Sequence, residues 1–217
     1  MKQKTLLGVA LACLLGAFIL ATLIYNIEPD AESAPLPPAQ LAALQRAHAP
    51  SLGPAQAPVT IVEFLDPACE TCAAFYPIVK QILATDPQRL RLVVRYAPFH
   101  KGSDQVVAAL EAARKQDKFW PALEALLASQ RDSVQHHVAQ PERIWPILER
   151  AGLDLARLRA DIAAPEIARV IEQDLLDAQL LQVSKTPDFF VNGRPLASFG
   201  EEPLRELVAE TLRHAKR

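Results

Sequence analysis

The sequence contains few cysteines. Only three of its 217 residues are Cys, and Cys69 and Cys72 form its single C-x-x-C motif. A structural zinc site would need a second such pair or two suitably spaced histidines, whereas His136 and His137 are adjacent and poorly placed to converge on one ion. These shortages argue against a resident metal and against a domain held together by several disulfide bonds. They leave one dithiol free for chemistry.

The sequence also lacks an excess of basic residues. It has 23 Lys and Arg against 25 Asp and Glu, which gives a net charge of −2. A domain that binds nucleic acid usually presents a basic face, so we expect no nucleic-acid partner. No internal repeat of solenoid length is present, and the chain length suits one globular domain with appendages.

Acidic residues are absent before Glu28, and Lys2 and Lys4 precede an uncharged stretch over residues 5–27. At ~1.5 Å per residue, a helix of that length exceeds the ~30 Å hydrocarbon core of a bilayer. The stretch is longer than a signal-peptide core and ends without a small-residue cleavage site. We therefore predict that residues 1–27 are a cytoplasmic tip and a single transmembrane signal anchor in a bacterial inner membrane, with the remainder in the periplasm.

Residues 28–52 are rich in proline and alanine. This composition is typical of a semi-extended spacer, and we interpret the segment as a linker that lifts the domain off the membrane. Residues 39–46 could form a short helix, although we interpret them as solvated linker as well. The folded domain is then predicted to span residues 53–217.

The pattern of apolar residues predicts an α/β domain. Short apolar or alternating runs predict strands, and spacings of three and four residues predict helices. The order is that of a thioredoxin fold with an inserted α-helical subdomain. The predicted elements are a strand at 59–65, a helix at 73–83, a strand at 89–96, helices from about 102 to 183, two strands within 186–196 and a helix at 203–214.

The dithiol lies where the first predicted strand gives way to the first predicted helix. Cys69 would therefore occupy a helix N-terminus, where unpaired backbone N–H groups and the helix dipole stabilise a thiolate. We predict that Cys69 is the nucleophile and Cys72 the resolving thiol of a redox-active disulfide. Glu70 and Thr71 between them should tune the site. Because a carboxylate disfavours a nearby thiolate, we expect Cys69 to be less acidic than in the strongest oxidants.

Three other places in the sequence are candidates for the site. Glu63, on the presumed buried strand, is predicted to be a buried carboxylate with a raised pKa that exchanges a proton with Cys72, an exposed charge being the alternative. Thr186-Pro187 stands at a strand start and suits a cis peptide that exposes the Thr186 backbone to an extended substrate, although trans is the default for proline. His100 is interpreted as a surface-loop residue, with a contact near the dithiol as the alternative.

Three segments together resemble the DsbA-like thioredoxin-fold family of bacterial thiol:disulfide oxidoreductases. They are residues 57–72, Lys118-Phe119-Trp120 with the leucines that follow, and residues 183–193. The resemblance covers Gly53 to about His214, and it is the combination of segments that makes it specific. It implies that Pro187 is cis, that Glu63 occupies the family's buried-acid position and that Pro77 matches a helix-kinking proline.

The resemblance also implies how such a protein works. No cofactor is needed, because the protein's own disulfide carries the electrons. Clients would be exported proteins with thiols or disulfides, and the redox partner a DsbB-like oxidase or DsbD-like reductant in the membrane. Two departures matter. Glu70-Thr71 is neither the Pro-His of the strong oxidases nor the Gly-Pro of thioredoxins, which leaves the redox direction open. Lys185 stands where the family often has glycine, which makes the surface beside Pro187 more cationic.

We therefore predict a membrane-anchored periplasmic thiol:disulfide oxidoreductase. Two alternatives stay open at the level of sequence. One is a metallochaperone that holds Cu(I) between the thiolates of Cys69 and Cys72, with His100 as a further ligand, because soft thiolates suit that ion. The other is a scaffold that recognises unfolded clients without thiol chemistry. Clients, oligomeric state and redox direction are not decided by the sequence.

Overall fold

A central β-sheet is built around an apolar, β-branched strand. The computed structural model describes Gly16 and residues 36–215. The strands are β1 (Ser51–Leu52), β2 (Val59–Leu65), β3 (Leu90–Tyr96), β4 (Val134–Gln135), β5 (Val138–Ala139), β6 (Asp188–Val191) and β7 (Arg194–Pro195). Five form one sheet in the order β1-β3-β2-β6-β7, with β2 parallel to β3 and antiparallel to β6. Every residue of the central strand β2 is buried, which explains its nearly continuous apolar sequence.

Helices cover the sheet and fill the connection between β3 and β6. The helices are α1 (Pro38–Leu44), α2 (Glu70–Thr85), α3 (Ser103–Arg114), α4 (Phe119–Ala128), α5 (Gln130–Ser133), α6 (Trp145–Arg150), α7 (Leu155–Asp161), α8 (Pro165–Leu180) and α9 (Glu201–His214). The β2-α2-β3 unit followed by β6-β7-α9 is the core of a thioredoxin fold, and α3 to α8 lie between its two halves. The predicted α/β thioredoxin fold is confirmed.

The helical region also contains a small hairpin that the sequence pattern did not predict. Strands β4 and β5 pair antiparallel, and the turn between them carries His136 and His137 with φ of 50° and 60°. Strands of two residues are too short to show a period of two, so periodicity could not reveal them. The hairpin matters because it brings His137 to the rim of the dithiol site.

The fold begins earlier than the predicted boundary at Gly53. Residues 36–52 contain α1 and β1, and β1 pairs antiparallel with β3. Ala43 and Leu44 of α1 are buried in the core. The linker interpretation is therefore wrong for residues 36–52. The composition of this segment was misleading because proline is also common at the first position of a helix and alanine within one. A short helix such as α1 can therefore be as rich in Pro and Ala as an extended spacer.

A buried ionic cluster holds this N-terminal segment on the domain. Arg95 of β3 is fully buried, and its Nη2 lies 2.6 Å from Asp174 and 2.7 Å from Asp177 of α8. From the N-terminal segment, Arg46 lies 2.6 Å from Asp177 and His48 lies 2.5 Å from Asp174. Although burial acts in the opposite direction, hydrogen bonds from Arg46 and Arg95 hold the pKa of Asp177 below its usual value. The cluster therefore ties three separate parts of the chain together.

The predicted membrane anchor lies almost wholly outside the residues that the structure describes. In the part of the chain that the structure describes, no helix combines the length and the apolar character needed to cross a bilayer. The predicted span, residues 5–27, lies outside that part except for Gly16. The anchor therefore stays a prediction from the sequence.

Candidate active site

The dithiol lies at the junction of β2 and α2, as the sequence predicted. Cys69 is the N-cap residue of α2, and Cys72 lies one turn further along the same helix. Both thiols are free, and Cys69 is 6% exposed whereas Cys72 is fully buried. An incoming disulfide or thiol can therefore meet Cys69 first, and Cys72 is shielded behind it.

The two thiols have opposite acidities. A hydrogen bond from the Cys72 thiol and backbone N–H groups at the helix start lower the pKa of Cys69 to about 5, even though burial opposes this shift. Burial raises the pKa of Cys72 well above its usual value, and its hydrogen bond to Cys69 adds to the rise. The exposed carboxylate of Glu70 lies 3.5 Å from Nδ1 of His137. The site thus pairs a ready thiolate with a protonated neighbour.

The loop before β6 faces the nucleophile. The bond between Thr186 and Pro187 is cis. Sγ of Cys69 lies 3.1 Å from the Thr186 carbonyl oxygen, to which the protonated form of the thiol donates a hydrogen bond. Thr186, one of the two residues predicted to meet the substrate, is therefore in contact with the predicted nucleophile, although 117 positions separate it from Cys69 in the chain.

Glu63 lies beneath the dithiol in the middle of the sheet. It is fully buried, opposite Val94 of β3 and Phe189 of β6, and neither carboxylate oxygen has a hydrogen-bond partner among the described residues. Burial, with a smaller contribution from the charge of Cys69, raises the pKa of Glu63 to about 8. The alternative of an exposed charge is wrong. The carboxyl group is close enough to Cys72 that its charge also raises the pKa of that thiol.

Asp66 organises the active-site loop, although no pattern in the sequence marks it as a site residue. Its buried carboxylate accepts hydrogen bonds from the backbone N–H of Ala68 at 2.8 Å and from the Ser103 hydroxyl. It also accepts hydrogen bonds from the backbone N–H and from Nδ1 of His100, at 2.9 and 2.7 Å. The interpretation of His100 as an ordinary surface-loop residue is therefore wrong, because a buried carboxylate fixes its ring beside the site.

Gln130 of α5 is a second residue of the site that the sequence analysis did not find. Its buried side-chain amide donates to the carbonyl oxygens of Pro67 at 2.9 Å and Cys69 at 3.0 Å. This clamp fixes the backbone on both sides of Ala68 just before α2 begins. No sequence signal could have identified it, because a single glutamine in a helix 61 positions away carries no pattern.

These parts enclose a groove of about 360 Å³ around the nucleophile. Its lining combines the thiol, the cis-proline loop and several charged or titratable side chains. No group of three or more Cys, His, Asp or Glu side chains suited to a metal ion occurs in residues 36–215. The groove is lined by Cys69, Glu70, Thr71, Phe99, His100, His137, Ser184, Lys185 and Thr186.

The fold and this dithiol define a thioredoxin-fold protein of the DsbA-like type. Residues 45–210 match the thioredoxin family model Thioredoxin_4, and the chain belongs to that family. Solved structures agree. A thioredoxin-like oxidoreductase from Silicibacter pomeroyi is 30% identical with a TM-score of 0.69, over 81% of this chain and 98% of that one. Oxidised BdbD from Bacillus subtilis is 26% identical with a TM-score of 0.68, over 76% and 94%.

Disulfide bond formation proteins and Na(+)/H(+) antiporters are among the curated relatives that match the chain. The probable disulfide bond formation protein D of Bacillus anthracis is 29% identical over 75% of this chain and 78% of that protein. The Na(+)/H(+) antiporter NhaA 3 of Salinispora tropica is 39% identical over 65% of this chain but only 21% of the antiporter. The chain thus spans about a fifth of the length of such antiporters. The predicted resemblance to DsbA-like proteins is confirmed.

Proposed function

We propose that this protein is a membrane-anchored thiol:disulfide oxidoreductase that exchanges disulfides with exported proteins in the bacterial periplasm. The observation that carries the proposal is a pair of free thiols at the start of α2, with Cys69 against the Thr186 carbonyl in the groove and Cys72 buried one turn further on. The opposite pKa shifts of the two thiols, Cys69 lowered to about 5 and Cys72 raised, agree with it. The likeness to disulfide bond formation protein D and to BdbD supports the activity. The uncharged stretch over residues 5–27 supports the anchor.

The chemistry follows from the positions of the two sulfurs. In the oxidising direction a client thiolate attacks Sγ of Cys69 in the oxidised pair. The bond between Cys69 and Cys72 breaks, a bond between the client and Cys69 forms, and Cys72 leaves with the electron pair. A second client thiolate then attacks the client sulfur, so the client disulfide forms and Cys69 leaves as a thiolate. Two electrons pass from client to protein, and the same steps in reverse reduce a client.

Client binding and regeneration complete the proposal. The backbone at Thr186 and Pro187 would pair with an extended client segment, as its contact with Cys69 supports. A DsbB-like or DsbD-like membrane protein would restore the starting redox state. Anchoring both proteins in one membrane would raise their effective concentration for each other.

Glu63→Gln is expected to stabilise the reduced protein and to slow exchange. The folded carboxyl group stays protonated up to its pKa of about 8, whereas the unfolded one ionises above about pH 4.5. Stability is therefore lost as the pH rises between these values, by roughly 3 kcal/mol at pH 7 and under about 1 kcal/mol at pH 5. Glutamine removes this loss but cannot pass a proton to Cys72, so we expect about 10²-fold slower exchange at that thiol.

Urea unfolding of the reduced protein at both pH values, together with the rate at which Cys72 resolves a mixed disulfide, checks this prediction. Glu70→Gln is the matched control, because it removes an exposed carboxylate beside the same dithiol. A stabilisation by Glu63→Gln that is equal at the two pH values would contradict the linkage. An unchanged rate would contradict the role in proton transfer.

The reduction potential tests the proposed function itself. A shift of the nucleophile's pKa from ~7, as in thioredoxin, to about 5 stabilises the reduced form about 50-fold at pH 7, or about 50 mV for two electrons. Starting from ~−270 mV for thioredoxin, we expect about −220 mV or a more oxidising value. The measurement equilibrates the full-length chain in detergent with glutathione. If Cys69 and Cys72 do not exchange with glutathione, the oxidoreductase proposal fails and Cu(I) binding becomes the leading function.

A further inference from the structure

The steps above assign no part in the exchange reaction to His100 or to the carboxylate of Asp66 behind it. His100 lines the groove together with Cys69, and its side chain is 25% exposed. Behind it, the buried carboxylate of Asp66 accepts hydrogen bonds from both the backbone N–H and Nδ1 of His100. Two further donors, Ala68 and Ser103, hold the other oxygen of Asp66. The carboxylate is therefore fixed from four directions, and it fixes the ring.

This arrangement decides which ring nitrogen is available. A carboxylate only accepts hydrogen bonds, so Nδ1 of His100 must carry a proton to bond with Asp66. Nε2 then remains as the nitrogen that can accept a proton from a molecule in the groove. The contact with the carboxylate also fixes the orientation of the ring. The geometry is that of a histidine prepared to act as a base.

The nucleophile itself does not need that base. The pKa of Cys69 is lowered by the Cys72 thiol and by backbone N–H groups. A client thiol entering the groove has no such help. With an ordinary pKa of ~8.5, only a few per cent of it is ionised at pH 7. The proton that must be removed in the oxidising direction is therefore the client's.

We propose that His100 accepts the proton of a client thiol as that thiol attacks Cys69, and that Asp66 is the positioning residue that holds His100 for this step. The client S–H bond breaks, its electron pair forms the bond to Cys69, the proton moves to Nε2, and Cys72 leaves with the pair of the broken disulfide. In the reducing direction the imidazolium returns the proton to the departing client sulfur. This inference rests on the proposed function.

His136 offers a matched control. It precedes His137 in the turn between β4 and β5, it is exposed, and it is not among the residues that line the groove. The other charged or titratable side chains of the lining are Lys185, Glu70 and His137, whose ring stacks on that of His100 with centroids 5.8 Å apart and whose Nδ1 lies 3.5 Å from the exposed carboxylate of Glu70. His136→Gln therefore removes an imidazole from the same turn without touching His100, Asp66 or the groove.

The experiment uses the full-length protein in detergent, oxidised and mixed in a single turnover with a reduced peptide that carries two cysteines. We expect His100→Gln to slow oxidation of the peptide about 10- to 100-fold near pH 6.5. The difference should fall below about threefold near pH 9, where the peptide thiols ionise unaided. His136→Gln should stay within about twofold of the parent throughout, and the glutathione equilibrium constant of His100→Gln should change less than about twofold.

The possible results distinguish a failure of the proposed function from a failure of the role proposed for His100. A parent protein that fails to oxidise or reduce the peptide at any pH refutes the proposed function. If the parent is active, three results would each overturn the role of His100. They are a parent-like pH profile in His100→Gln, an equal rate loss at every pH, and an equal loss in His100→Gln and His136→Gln.

Discussion

Cys69→Ser is expected to abolish disulfide exchange, whereas Cys72→Ser is expected to trap the protein on its clients. A serine hydroxyl cannot form a disulfide, so exchange by Cys69→Ser should fall roughly 10³-fold or more, to the uncatalysed rate. In Cys72→Ser the Cys69 thiolate still attacks a client disulfide, but the mixed disulfide that forms has no resolving thiol. The asymmetry follows from the structure, because Cys69 contacts Thr186 at the groove and Cys72 is fully buried.

Two assays check these outcomes. Turnover of a disulfide-bonded peptide reports the loss in Cys69→Ser, and gel bands that disappear on reduction report mixed disulfides in Cys72→Ser. The third cysteine provides a matched control, because Cys13→Ser should leave both assays unchanged. Residual turnover in Cys69→Ser, or equal trapping by the two active-site variants, would contradict the roles assigned to the two thiols.

The parts of the site that the sequence predicted are those with a local signature. Cys69 and Cys72 stand between an apolar run and a helical pattern, so their place at a helix start follows from neighbours in the chain. Glu63 interrupts a strand that is otherwise apolar or β-branched, which is a local signal for a buried acid. Pro187 before an apolar strand was identified through a resemblance that rests on a contiguous segment. In each case a short stretch of sequence determines the environment.

The parts that the sequence did not reveal depend on contacts between distant segments. Gln130 reaches Cys69 from 61 positions away, and His100 reaches Asp66 from 34 positions away. A single polar residue carries no periodicity, so nothing local distinguishes these side chains from solvated ones. Arg95 is the clearest case, because a charge on a strand is usually exposed, yet here two aspartates of α8 surround it. The same long-range cluster explains why residues 36–52 fold onto the domain.

Asp174→Ala is expected to be among the most destabilising single changes in the domain. The carboxylate of Asp174 accepts hydrogen bonds from Arg95 Nη2 at 2.6 Å, from the Tyr96 backbone N–H at 2.7 Å, and makes a contact with His48 at 2.5 Å. With alanine at position 174, the buried guanidinium of Arg95 keeps only the carboxylate of Asp177 as a partner. The buried backbone N–H of Tyr96 also loses its acceptor. Breaking a buried ion pair in this way costs about 3–5 kcal/mol, which corresponds to a fall in Tm of roughly 10 °C.

Chemical unfolding at neutral pH measures this loss, and Glu172→Ala is the matched control because that carboxylate lies on the exposed face of the same helix, α8. We expect the control to stay within about 0.5 kcal/mol of the parent.

The double variant Arg95→Met with Asp174→Leu should recover much of the lost stability, because apolar side chains of similar size avoid the cost of an unpaired buried charge. A double variant as unstable as the sum of its single variants would show instead that Asp174 acts through its hydrogen bond to the Tyr96 backbone. In the single variant Asp174→Ala, protease cleavage after Arg46 should also become faster, because the cluster that holds residues 36–52 on the domain has lost one of its two carboxylates.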